Sequence, residues 1–398
     1  VSGESTSSPA PETTRTRLAW LRRHRRALLV VVLLAALAVA ATAAVASWYF
    51  SGAVVVPHHW KWPLDATVRS VSADRVALSR SDDSLRRGVY GLDWRGGHAI
   101  VEGIVSTDAH SVTRRLTGLR GRLTAGTRVA IDPDTYAGDP AQALGLSFGE
   151  VEVPDELGPM PAWLIRAPAS AGHARASAWA ILVHGINGSR QDDLHMVPAL
   201  HAAGLPALLI SYREDAGAPH SPDHKHHMGL TEWRDLQAAV RYALAHGARR
   251  VVLAGMSMGG AIVTQFMERS PLARSVSGLI LDAPALDWKA ILSFNAKEMG
   301  LPSFAAVPVE WMIGARIAAD WNRADALRHT AAFHLPILLF HGTGDELVPI
   351  STSDAFAAKL RRWVTYYRVP KAPHIQSWNV GPELYDRRVE TFLERIHA

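Results

Sequence analysis

Gly255-Met256-Ser257-Met258-Gly259 restricts the possible folds more than any other stretch of this chain. It stands between the apolar run Val251-Val252-Leu253-Ala254 and the helix-like run Ala261-Ile262-Val263-Thr264-Gln265-Phe266-Met267, so a strand, a tight turn and a helix follow one another. A Ser on such a turn takes a strained backbone that lifts its hydroxyl clear of the sheet. The flanking glycines remove β-carbons that would collide as strand and helix close. The following helix aims the positive end of its dipole at the place where an oxyanion would form.

Three further pieces supply the rest of a nucleophilic machine. Ile337-Leu338-Leu339-Phe340-His341-Gly342-Thr343-Gly344-Asp345 reads as a buried strand ending in a loop acid. Val364-Thr365-Tyr366-Tyr367-Arg368-Val369 reads as a last strand, and His374 follows on its loop. A Ser hydroxyl is a poor nucleophile unless a base takes its proton (His374) and an acid orients that base and stabilises its cation (Asp345). Upstream, Trp179-Ala180-Ile181-Leu182-Val183 is a short apolar strand followed by His184-Gly185-Ile186-Asn187-Gly188. The turn after such a strand donates one oxyanion N–H, and the residue after the Ser donates another, here Ile186 and Met258.

Charge and hydropathy divide the N-terminal part. Ala27 to Ala46 carries no charge and a single hydroxyl, Thr42, and at about 1.5 Å per residue it can cross a hydrocarbon core about 30 Å thick. Arg15, Arg17, Arg22, Arg23, Arg25 and Arg26 precede it, which predicts a cytoplasmic N-terminus and an outward-facing remainder. Trp48, Tyr49 and Phe50 are placed like an interfacial aromatic belt. The run exceeds a usual signal-peptide core of about 7–15 residues, so an uncleaved anchor is expected although Ala44-Val45-Ala46 would pass as a cleavage site. The net charge of +5 is a topology signal, because those arginines supply most of it; no basic stripe for nucleic acid is evident. With no Cys, disulfides and a thiol nucleophile are excluded.

The expected organisation is a disordered basic tail over 1–26, a transmembrane helix over 27–47, a linker over 48–65, a small β-rich domain over 66–147 and a catalytic domain over 148–398. The β-rich part shows short alternating runs such as Arg75-Val76-Ala77-Leu78 and no catalytic constellation of its own, and is read as a spacer or cap that holds the enzyme off the bilayer. From Phe148, strands and amphipathic helices alternate, as in a mostly parallel sheet covered on both faces. The long apolar stretch at about 285–335, with Trp288, Ile291, Phe294, Met299, Phe304, Trp311 and Met312, is expected to form a helical lid over the Ser.

Other residues compete for attention. His220, His224, His226 and His227, with Asp215 and Asp223, crowd one loop that could hold a metal, although a solvated loop explains them more simply. No metal or organic cofactor is expected. His184 and His341 are expected to make structural hydrogen bonds. Asn187-Gly188-Ser189 matches a glycosylation sequon but would sit beside the catalytic turn, and is discounted. Asp282, at a strand end, is the rival to Asp345; the position after a penultimate strand favours Asp345, and Glu346 should point away.

These residues resemble the α/β-hydrolase superfamily over roughly Phe148 to the C-terminus. Within it the chain is similar to membrane-anchored actinobacterial serine hydrolases of unassigned substrate. That narrower likeness rests on Gly88-Val89-Tyr90-Gly91-Leu92, Pro161-Ala162-Trp163, Val183-His184-Gly185, Ser211-Tyr212-Arg213 with Gly217-Ala218-Pro219, Thr231-Glu232-Trp233, Ser257-Met258-Gly259-Gly260 and Leu281-Asp282-Ala283-Pro284. The resemblance implies an α/β-hydrolase fold with Ser257, Asp345 and His374 as the triad; the His-rich loop at 220–227 departs from the narrower pattern. The expected function is a membrane-anchored, extracytoplasmic serine hydrolase acting on an ester of a small-molecule or lipid-like acyl group. The alternatives are an amidase or aminopeptidase-like enzyme, for which Glu298 and Glu310 are the available acids, an acyltransferase, and a catalytically silent envelope binding protein.

Overall fold

The computed structural model describes residues 12–58, 62–172 and 177–396. Helix α1 (Glu12–Val55) opens it. Six strands follow: β1 (Ala66–Val71), β2 (Arg75–Ser79), β3 (Tyr90–Trp94), β4 (Gly97–Thr107), β5 (Ser111–Arg120) and β6 (Arg128–Asp132), with the single turn α2 (Asp82–Leu85) between β2 and β3. They close into a barrel in the order β1-β2-β5-β4-β3-β6, which leaves no unpaired strand edge. Inward-facing Val68, Val76, Leu78, Leu92, Val101 and Val129 fill it. The barrel also buries Arg114 completely. Its guanidinium donates to the carbonyl oxygens of Glu102 (2.9 Å), Ser84 (3.2 Å), Arg86 (2.6 Å) and Gly88 (2.7 Å), and burial lowers it to about 10.

Beyond the short helix α3 (Pro140–Leu144) lies the second domain. Its strands are β7 (Phe148–Asp155), β8 (Gly158–Ile165), β9 (Ala178–Val183), β10 (Ala207–Ile210), β11 (Arg250–Met256), β12 (Val276–Asp282), β13 (Ile337–Gly342) and β14 (Val364–Val369). They form one sheet in the order β14-β13-β12-β11-β9-β10-β8-β7. β7 and β8 form an antiparallel opening hairpin; from β10 to β14 all neighbours run parallel. The central strands are buried at every position but Arg250, and almost wholly apolar, because helices cover both faces. Helices α4 (Val197–Ala202), α5 (Trp233–Ala245), α6 (Met258–Arg269), α7 (Trp288–Glu298), α8 (Val307–Ile317), α9 (Ile350–Lys359), α10 (Ser377–Val380) and α11 (Pro382–Arg395) complete it. α5, α6 and the α7–α8 insertion share one hydrophobic cluster, while α4 and α11 pack in the other.

Two boundaries differ from the sequence expectation. Residues 12–26, expected as disordered tail, are helical, and helix α1 runs on to Val55 through the first part of the expected linker. Residues 1–11 of that tail lie outside the described residues. From Arg23 to Val45 every α1 residue is exposed, in a span long and apolar enough to cross a membrane. Its last turns are different. Ser47, Ser51 and Val55 recur every four residues, so they share one face of the helix, and all three are buried. Arg316 on α8 donates to the Trp48 carbonyl (3.1 Å) and to Ser51 Oγ (2.9 Å), and lies 4.3 Å from the Trp48 ring centre. Those partners, more than 260 residues away in sequence, carry the helix past its apolar run.

Arg114→Ala strands several buried carbonyls at once. It is expected to cost about 3 kcal/mol of barrel stability, read as a lowered thermal midpoint, while Arg115→Ala on the exposed neighbour changes it little.

Candidate active site

Ser257 occupies the turn between β11 and α6 with φ 50° and ψ −119°. A β-carbon on Gly259 would stand 1.9 Å from the Val183 carbonyl oxygen, and one on Gly255 would stand 2.6 Å from that of Gly259. The turn therefore requires glycine at both flanks. The sheet brings the other two residues to the same rim. His374 Nε2 lies 2.9 Å from Ser257 Oγ, and His374 Nδ1 lies 2.7 Å from Asp345 Oδ2. A neutral imidazole in this setting donates from Nδ1 to the carboxylate and accepts from the Ser hydroxyl at Nε2.

Asp345 is held from both sides. The Leu347 and Val348 N–H groups donate to Oδ1 at 2.9 and 2.8 Å, and His341 Nε2 comes within 3.2 Å of Oδ2. Burial opposes the charge, but the hydrogen bonds from His341, His374 and Val348 outweigh it and hold the carboxyl well below the usual carboxylate range. His341 is thus more than a strand-end histidine: it shares the acid with His374, while Ser353 Oγ at 2.7 Å fixes its other nitrogen. Spacing to Asp345 (i, i+4 across a turn) was the available signal. Asp282 turns elsewhere and accepts from Ser377 Oγ at 2.8 Å, and burial raises it to about 6. Glu346 lines the wide cleft beside His374.

Ile186 and Met258 lie on the expected turns. Met258 is the first residue of α6, so its N–H is free of the helix ladder, and Ile186 lines the same cavity as Ser257. His184 underlies this turn, fully buried. Its Nδ1 donates to the Gly185 carbonyl (2.8 Å) and its Nε2 to Asp215 (2.9 Å). Burial would push the imidazole down, but Asp215 lifts it to about 9. Asn187 adopts φ 58°; its Oδ1 accepts from the His58 N–H (2.9 Å) and sits 3.1 Å from His226 Nε2, so the sequon asparagine is already engaged.

The four loop histidines do not converge. His226 goes to Asn187, and His227 lies 3.2 Å from Asp223. Glu214, His220 and His224 are the residues that could hold a metal, with ligand atoms within 4.8 Å of one another; Ser221 already donates twice to Glu214.

Two cavities meet at the site. One of about 370 Å³ has Ser257 in its wall and is otherwise mainly apolar, lined by Trp288, Ile291, Leu292 and Val309 of the insertion and by Phe50 and Val54 of α1. The other, about 1130 Å³, opens between the barrel and the sheet domain beside His374, with Asp93, Trp94 and Asp132 on the barrel side. Asn379, on the helix that follows the His374 loop, joins the two domains: its Nδ2 donates to Val89 O (2.9 Å) and Pro133 O (2.8 Å), and its carbonyl accepts from the Val89 N–H (2.9 Å). The barrel therefore lines the cleft.

This fold defines the class: the sheet domain has the α/β-hydrolase fold. The sequence profile of the prolyl oligopeptidase family matches residues 202–396, and that of a domain of unknown function, DUF8805, matches residues 67–132. An uncharacterized protein of Mycobacterium tuberculosis is 28% identical over 218 residues, covering 53% of this chain and 66% of its own length. This chain therefore spans about two thirds of that relative. An α/β-hydrolase domain-containing protein of Arabidopsis thaliana, WAV2, is 27% identical over 208 residues, with 47% of this chain and 60% of its own length covered. A Pyrococcus furiosus esterase of known structure has the same fold, with a TM-score of 0.53 and 20% identity over 66% of this chain and 95% of the esterase.

His184 carries a pH prediction. Its folded value near 9 exceeds the ordinary 6.5, so its contribution is complete below pH 6.5 and disappears as pH rises through 9. Thermal midpoints should fall over that window, corresponding to about 3 kcal/mol at full loss, and the fall should be shallower in His184→Gln.

Proposed function

We propose that this chain is a membrane-anchored serine hydrolase that cleaves carboxylic esters through Ser257, His374 and Asp345, with its catalytic domain on the outer side of the membrane. The observation that carries this reading is the pair of contacts at His374, 2.9 Å to the Ser257 hydroxyl and 2.7 Å to the Asp345 carboxylate. Ser257 Oγ attacks the acyl carbon while His374 Nε2 takes its proton. The Ile186 and Met258 N–H groups receive the developing oxyanion. Collapse breaks the bond to the leaving alkoxide, which takes the proton from His374 and departs as an alcohol. Water, deprotonated by His374, then attacks the acyl-enzyme and releases the acid and the free Ser257. The apolar cavity at Ser257 suits the acyl group, and the wider cleft beside His374, which carries Arg86, Asp93 and Gln191 among apolar residues, suits the leaving group.

The arginine-rich segment before the apolar run of α1 supports an inward N-terminus and an outward catalytic domain. The prolyl oligopeptidase profile favours a second reading, a peptidase or amidase. An amine-recognising enzyme needs a charged acid near the nucleophile. Glu310 is buried and paired with Lys289 at 3.4 Å, and Glu298 is exposed at the end of α7. Asp132 faces the cleft, but burial and the neighbouring Asp93 raise it to about 8, which leaves it largely uncharged at neutral pH. Asp93 and Glu346 line the same cleft, so acids are present there; the ester reading is preferred because the wall beside Ser257 is mainly apolar.

Fluorophosphonate labelling of the parent and of Ser257→Ala tests the nucleophile. Labelling should vanish in the variant; equal labelling of both would defeat the enzyme reading. Asp345→Asn, which presents His374 with the wrong hydrogen-bond partner, should lower kcat on a chromogenic ester by about 10³–10⁴-fold. Matched ester and amide substrates with one acyl group should favour the ester.

A further inference from the structure

The end of α1 contributes to the wall of the catalytic cavity. Phe50, Ala53 and Val54 stand in it beside Ser257, and Val55 O accepts the His226 N–H at 2.9 Å. The membrane-length helix therefore leads directly to the nucleophile, and Ser47 marks where its exposed apolar stretch gives way to a docked one. The insertion that completes the cavity carries unburied apolar residues of its own. Met299 (55% exposed), Leu301 (46%), Phe304 (72%) and Trp311 (76%) lie on α7's end, the following turn and α8, and Trp48 and Tyr49 (60% and 73%) lie on α1. Large aromatic side chains left this exposed on a helix pair docked to a membrane-length helix call for a covering apolar medium.

We propose that this edge sits in the lipid surface and that the Ser257 cavity is filled from the bilayer, so that the substrate is an ester-bearing amphiphile whose acyl chain passes laterally between α1 and the insertion. The occupant of the exposed edge is the bilayer itself, because α1 continues without a break from that edge into its apolar span. Met299 and Leu301 belong to both the cavity and the exposed edge, which gives an acyl chain a continuous apolar path. The substrate class rests on the proposed ester hydrolysis; the seating in lipid does not.

The test uses the full chain reconstituted in phosphatidylcholine–phosphatidylglycerol vesicles. The double variant Phe304→Ser with Trp311→Ser removes the two most exposed side chains of the insertion, neither of which lines the cavity. It should hydrolyse a water-soluble short-chain ester within twofold of the parent and lose at least tenfold on a long-chain diacylglycerol held in the vesicles. Unchanged rates on both substrates would overturn the proposal. A parent inert towards the soluble ester would instead sink the esterase reading. Seating is read independently of activity. The chain has no Cys, so Phe304→Cys and Glu394→Cys can each carry one environment-sensitive NBD label. Glu394 is exposed on α11, which packs on the opposite face of the sheet from the insertion. Doxyl-labelled lipid should quench the label at 304 and spare that at 394. Equal emission from the two sites in doxyl lipid would overturn the proposal even if the double variant proved unstable.

Discussion

Strand β11 and helix α6 approach so closely at Ser257 that the carbonyl oxygens of Val183, His184 and Gly259 occupy the space where β-carbons would otherwise stand. Everything at the rim depends on that approach. It forces Ser257 into φ 50°, a region that non-glycine residues occupy at a cost of the order of 1–3 kcal/mol. The strain is held in place because the turn is bonded on all sides: the Ser257 N–H donates to Asp282 O (3.1 Å), and its carbonyl accepts from Gly260 (3.0 Å) and Ala285 (2.9 Å). The hydroxyl is thereby fixed before any substrate arrives. His374 and Asp345 need only be delivered by neighbouring strand ends, which parallel β13 and β14 do in register.

The polar groups below the rim form a second constraint. The His341 and His374 imidazoles share one carboxylate, and His184 shares another with the Tyr212 N–H, which lies 2.8 Å from Asp215. The Asp345 and Asp215 carboxylates are thus each paired and hydrogen-bonded, as burial demands. The arrangement also separates functions. Asp345 is held below the usual carboxylate range and bonded to His374, whereas Asp282, one strand nearer the middle of the sheet and also buried, is raised and bonded to Ser377. Two acids at adjacent strand ends take different parts because one receives several donors and the other only one.

Much of this was legible from residue order. The Ser turn, the strand ends bearing Asp345 and His374, and the alternation of strands with helices are local patterns, and local patterns survive in a linear sequence. The contacts that escaped are those with no local signature. Helix α1 was expected to stop near 47 because apolar composition ends there; it continues because Arg316 reaches Trp48 and Ser51 from far along the chain. Arg114 reads as an ordinary strand arginine until the barrel closes around it. Asn379 belongs to no motif, and its bonds to Val89 and Pro133 exist only once two domains meet. The four histidines of one loop looked like a cluster, yet backbone turns at Glu214 (φ 75°) and His224 (φ 51°) send them towards different partners.

The barrel's position follows from the same geometry. A β-carbon on Gly88 would stand 2.0 Å from the Asn379 carbonyl oxygen, so the barrel backbone lies directly on the short helix that follows His374. Any shift of the barrel therefore presses on the segment that follows His374. On the opposite side of the rim, His58 donates to Asn187, tying the chain that leaves α1 to the turn that bears Ile186. The His374 loop leans on the barrel and the Ile186 turn is tethered to the helix end, while the strained Ser257 turn belongs to the sheet. A rim assembled from three separately supported parts is only as rigid as their mutual packing. In this chain two of those supports come from segments outside the sheet domain, which gives both the barrel and α1 a physical stake in the alignment of Ser257 with His374.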